Sequence, residues 1–137
     1  MQMMLRALVA AGMTALSVAA STEAQETHVV LLTANPGRDE YRFEPARLAV
    51  RPNDVVIFRV AAGAPHSIVF EGGGLSPDVR GTFNAAMPAR SAELSSPLLT
   101  AAGEEYRLVV PRVPAGTYPY YCLPHRAYDM RGSLVVK

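Results

Sequence analysis

The run Tyr120-Tyr121-Cys122-Leu123-Pro124-His125-Arg126-Ala127-Tyr128-Asp129-Met130-Arg131-Gly132 holds the chain's only cysteine, in the spacing Cys-x2-His-x4-Met. Far upstream, Ala64-Pro65-His66-Ser67-Ile68-Val69-Phe70 supplies a second imidazole. Thiolate and thioether are soft donors that favour Cu(I), whereas imidazole serves both oxidation states of copper. One cysteine, two histidines and a weak axial methionine are the donors of a blue-copper electron-transfer site. His66, Cys122, His125 and Met130 are therefore the expected ligands of one type 1 copper ion.

Cysteine usage supports this from another direction. Met1 to Arg6 is a short n-region with one positive charge, and Ala7 to Ala20 is an apolar stretch too short to span a bilayer. Small residues follow, with possible cleavage after Ala20 or Ala24. Residues 1–24 are thus expected to be a secretory signal peptide, and residues 25–137 a single domain in the periplasm or outside the cell. A lone thiol in an oxidising compartment is a liability unless it is buried, reactive or metal-bound. The neighbouring His125 and Met130 favour the metal.

The chain's formal net charge of +1 and its lack of a basic run argue against nucleic acid as a partner. Half of the residues are hydrophobic, as in a globular core-former. Past residue 24 the sequence reads as short strands separated by turns. Strands are expected at 27–33, 47–51, 55–60, 66–70, 105–110, 117–122 and 132–137, with Tyr41 to Pro45 leading into the second. A loop is expected at 61–65. Residues 71–103, broken by Gly72-Gly73-Gly74, Pro77, Pro88 and Pro97, suggest only a strand at 91–94 and one helical turn at 96–100. Many short strands with Pro/Gly turns indicate an all-β sandwich.

Two blocks resemble the cupredoxins, especially plastocyanin and pseudoazurin. One runs from Phe43-Glu44-Pro45 to Pro65-His66-Ser67-Ile68-Val69-Phe70. The other runs from Ala102-Gly103-Glu104-Glu105-Tyr106 to Thr117-Tyr118-Pro119-Tyr120-Tyr121-Cys122-Leu123-Pro124-His125, Met130 and Gly132. The resemblance implies an eight-stranded Greek-key β-sandwich with copper near one end. His66 would come from the end of one strand, and the other three ligands from the loop before the last. It also implies a small monomeric electron carrier that binds no small-molecule substrate and docks transient redox partners near His125. Two features depart from the plastocyanin pattern. Ser67 stands where an asparagine usually ties the two ligand segments together, and the interval from His66 to Cys122 is longer, with the excess expected at 72–88.

Two other functions compete. An exported copper carrier or storage protein would use the same donors without a redox shuttle role. A copper oxidase or nitrite reductase would need a second copper centre, for which three histidines do not suffice. A dinuclear purple-copper site needs two cysteines. His28 has no partner in the ligand pattern and is expected to be structural or on the surface.

Overall fold

Along Thr27–Asn35 alternate side chains turn inward, burying Val30, Leu32 and Ala34 and defining strand β1. The computed structural model describes residues 23–137, so all but the last two residues of the expected signal peptide lie outside the described residues. Seven further strands follow: β2 (Glu40–Glu44), β3 (Arg47–Val50), β4 (Val55–Ala62), β5 (Val69–Phe70), β6 (Glu105–Val109), β7 (Gly116–Tyr121) and β8 (Arg131–Val136). They form two four-stranded sheets, ordered β2-β1-β4-β6 and β3-β8-β7-β5. β1 runs parallel to β4 and β3 parallel to β8, while the other neighbours are antiparallel. Every connection from β2 to β7 passes from one sheet to the other. The all-β sandwich expected from the sequence is the observed fold.

Aromatic rings fill the space between the sheets. Tyr120 of β7 meets Phe43 of β2 edge-on at 4.8 Å, Phe58 of β4 at 5.4 Å and Phe70 of β5 at 5.5 Å. Such edge-to-face packing aligns the positive edge of one ring with the negative face of another. Gly132 makes the Tyr120 position possible: a Cβ there would lie 2.5 Å from the tyrosine ring.

The 71–103 segment corrects the sequence reading. A ten-residue helix, α1 (Pro77–Ala86), occupies it, and Phe83 is completely buried. Its start is encoded locally. The Ser76 hydroxyl accepts a bond from the Val79 N–H, Pro77 opens the first turn, and Asp78 places negative charge at the helix N-terminus. Val79, Phe83 and Ala86 then recur with helical spacing and pack on the core.

The expected helical turn at 96–100 is instead extended, because Leu99 exchanges two backbone hydrogen bonds with His66. The expected strand at 91–94 is a tight turn closed by a bridge between Ala92 and Ser95, with Leu94 at φ 56. The expected strand at 66–70 shortens to Val69–Phe70, since the Ile68 N–H goes to the Ser96 hydroxyl at 2.9 Å rather than to a neighbouring strand. Strand β4 runs beyond the expected Val60 and takes two residues of the expected loop, because β1 offers Thr33 as a partner for Ala62.

Candidate metal centre

The connection from β7 to β8 folds back on itself. The His125 N–H donates to the Cys122 carbonyl at 3.3 Å, and the Tyr128 N–H to the His125 carbonyl at 3.0 Å. Asp129 then takes a left-handed conformation, φ 56, and turns the chain towards β8. The Cys122 N–H donates to the Met130 carbonyl at 3.0 Å, so the two ends of Cys-x2-His-x4-Met lie side by side. His66 enters from the other ligand segment, between β4 and β5, held by Leu99.

Three donors converge. Cys122 Sγ lies 3.4 Å from His125 Nδ1 and 3.7 Å from His66 Nδ1, and all three ligand atoms fall within 4.8 Å of one another. Cys122, His66 and Met130 are fully buried, whereas His125 is half-buried. The Ala62 carbonyl accepts a bond at 2.7 Å from His66 Nε2. A carbonyl can only accept, so the ring proton sits on Nε2 and the Nδ1 lone pair faces the sulfur. Such a bond to a candidate ligand histidine fixes both its tautomer and its orientation. The extension of β4 to Ala62 therefore serves the site directly.

Electrostatics keep the metal-free cluster neutral. Burial pushes the Cys122 thiol up, opposed by hydrogen bonds from the Ser67 and His125 backbone. Burial pushes both imidazoles down, and His66 lowers His125 further by charge repulsion. Neutral imidazoles are ready to coordinate, and a bound cation takes the place of the thiol proton. Burial, convergence and the soft donor set together fit copper.

Ser67 bridges the two ligand segments. Its hydroxyl accepts the Leu123 N–H at 3.1 Å, and its backbone counters the upward push of burial on the Cys122 thiol. The short side chain does span the gap. Beside His125 lies an aromatic arrangement that was not read from the sequence. Tyr41 of β2 packs 5.3 Å from the imidazole and stacks on Tyr128 at 4.1 Å, the two tyrosine rings 8° apart. No local motif signals it, because Tyr41 and Tyr128 meet only across the folded end of the sandwich. His28 stands apart from this centre, as expected of a residue outside the ligand pattern, and is paired instead with Asp54: its Nε2 lies 3.1 Å from Asp54 Oδ2.

A two-sheet sandwich with a buried Cys–His–His cluster at one end, and a methionine tied to the same loop, defines a cupredoxin-type copper protein. The pattern of the copper binding proteins, plastocyanin/azurin family, matches residues 28–137, and the chain belongs to that family. It is 31% identical over 112 residues to a plastocyanin of Nostoc punctiforme, covering 82% of this chain and 75% of the relative. It is 33% identical over 127 residues to a chloroplastic plastocyanin of Chlamydomonas reinhardtii, covering 93% of this chain and 79% of the relative. Among solved structures, the oxidised plastocyanin of Dryopteris crassirhizoma superposes with a TM-score of 0.62 at 26% identity. That match covers 80% of this chain and all (100%) of the other. A reduced amicyanin variant superposes at 0.55 and 26% identity, covering 85% of this chain and 88% of that one.

Proposed function

We propose that this protein carries single electrons between redox partner proteins on one type 1 copper ion held by His66, Cys122, His125 and Met130. The convergence of one sulfur and two Nδ1 atoms within 4.8 Å in a buried pocket carries this reading. When bound, copper supplies a one-electron Cu(I)/Cu(II) couple.

The chain's own residues prepare the site. Backbone hydrogen bonds from Ser67 and His125 ease the loss of the Cys122 proton by offsetting the cost of burying the thiolate. The Ala62 carbonyl orients His66 before any metal arrives, and the Ser67–Leu123 bond holds the two ligand segments in register. This preorganisation keeps reorganisation small when the site's charge changes. Water is excluded from Cys122, His66 and Met130, while His125 leads outward.

The rim near His125 includes Leu123, 56% exposed, and Tyr128, 55% exposed. Exposed apolar and aromatic side chains around a half-buried ligand suit a small, short-lived contact with a redox partner. In this reading a monomeric domain of residues 25–137 follows a cleaved signal peptide and works in the periplasm or extracellular space, transforming no substrate. No helix among the described residues is long and apolar enough to cross a membrane.

Adding Cu(II) to the protein and recording the visible spectrum tests the assignment. An intense blue thiolate-to-copper band is expected, bleached by ascorbate and absent in Cys122→Ser. A colourless copper-saturated protein would overturn it. Irreversible copper loss on reduction would instead favour the copper carrier. Met130→Leu is expected to retain the colour and raise the reduction potential, since a weak donor to Cu(II) is lost. An unchanged potential would remove Met130 from the ligand set.

A further inference from the structure

A second cluster of metal-ligating side chains lies far from the cysteine. Asp54 and Ala62 bracket β4: Asp54 precedes its first residue, and Ala62 at its last contacts His66. At about 3.3 Å per residue the strand separates its two ends by about 23 Å. Beside Asp54, Glu26 and His28 come in from the start of β1, which runs parallel to β4 with Thr27 opposite Val55. The ligand atoms of Glu26, His28 and Asp54 all lie within 4.8 Å of one another.

We propose that Glu26, His28 and Asp54 form a second site, for a divalent cation of zinc-like chemistry, at the end of the sandwich opposite the cysteine centre.

The Asp54 carboxylate is only 4% exposed and is held before any ion arrives. Its Oδ1 accepts the Glu26 N–H at 3.0 Å and its Oδ2 the Arg51 N–H at 2.9 Å. Backbone donors of this kind orient a metal-binding carboxylate. His28 Nε2 lies 3.1 Å from Asp54 Oδ2 and 3.9 Å from Glu26 Oε2. Zinc bonds to nitrogen and oxygen of about 2.0–2.2 Å place tetrahedral donors about 3.3–3.5 Å apart, between those two spacings. The ion would replace the hydrogen bond between Nε2 and Oδ2, with the ring proton carried on Nδ1.

Glu26 is the adjustable donor, with its side chain 57% exposed. Two clefts open onto Asp54, one lined by Glu26, Arg51 and Lys137 and the other by Glu23, Gln25 and Arg112, and they give an ion access from solvent. The Arg51 guanidinium beside this cleft is paired with Glu23 at 3.3 Å. Glu26 and Asp54 contribute two carboxylates and His28 one imidazole. Imidazole with carboxylate oxygens is a donor set that zinc accepts.

The test uses protein already loaded with copper, so that the cysteine centre is filled. Titration with Zn²⁺ in a calorimeter is expected to give one ion per chain with the visible band unchanged. His28→Gln is expected to weaken binding by about tenfold or more. Glu26→Gln, at an exposed position that leaves the Asp54 backbone bonds intact, is expected to weaken it less, and it provides a variant should His28→Gln fold poorly. No zinc uptake, equal affinity in both variants, or loss of the blue band on adding zinc would overturn the proposal. Failure of the blue band to form in the first place would count against the electron-transfer reading alone.

Discussion

Ser67 and Tyr120 show what single side chains contribute near the cluster. The Ser67 hydroxyl is the acceptor for the Leu123 N–H, in a position with only 3% of the serine exposed. Ser67→Ala leaves that donor unpaired, and a net hydrogen bond contributes about 1 kcal/mol. A fall in urea-unfolding stability of about that size is expected, with copper binding retained. Unchanged stability would show that the bond is not needed to hold the two segments. Tyr120 presents the reverse case. Its hydroxyl is fully buried with no hydrogen-bond partner among the described residues, and burial pushes its pKa far up. Tyr120→Phe keeps the ring among Phe43, Phe58 and Phe70 and removes an unsatisfied polar group. It is expected to leave stability unchanged or raise it by about 1 kcal/mol in urea titration. A clear loss would reveal a partner for the hydroxyl.

Elements differ in how openly the sequence announces them. The strands were legible because alternation of apolar residues over β1, β4 and β6 is a local pattern. Helix α1 was missed, although Ser76-Pro77-Asp78 and the spacing of Val79, Phe83 and Ala86 encode it locally, because Gly72-Gly73-Gly74, Pro77 and Pro88 read as breakers. Phe83 anchors the helix against Phe70 at 4.8 Å and Tyr118 at 5.1 Å. Phe83→Ala is therefore expected to cost about 3–5 kcal/mol in chemical denaturation. A small cost would mean that the helix is peripheral to the core. On β8, Gly132→Ala places a Cβ against the Tyr120 ring and is expected to lower the thermal midpoint markedly. A wild-type midpoint would mean that the ring moves aside freely.

For the whole molecule, stability should depend on pH through Asp54. Burial raises its pKa, but hydrogen bonds from the Arg51 and Glu26 N–H groups and from His28 outweigh that and hold it below the ordinary carboxylate value. A group with a depressed folded-state pKa adds stability above its unfolded value, about 3.9, and loses it as pH falls through the lower folded value. Wild-type stability is therefore expected to drop below about pH 4. Asp54→Asn should be less stable at pH 7, with a shallower decline in acid. Parallel pH curves for the two proteins would remove Asp54 from the acid response.

Residue chemistry and short spacings were enough to propose the donors. Cys-x2-His-x4-Met lies on one loop, so the sequence alone joins Cys122, His125 and Met130, and softness of the donors selects the metal. The sequence left open how His66 reaches them across the fifty-five residues 67–121. Only tertiary structure decided that, by extending β4 to Ala62, pairing His66 with Leu99 and closing the gap through Ser67. The same holds for Tyr41 against His125 and for His28 against Asp54. These contacts depend on which strands become neighbours, and that follows from burying a shared core across two sheets rather than from any local run of residues.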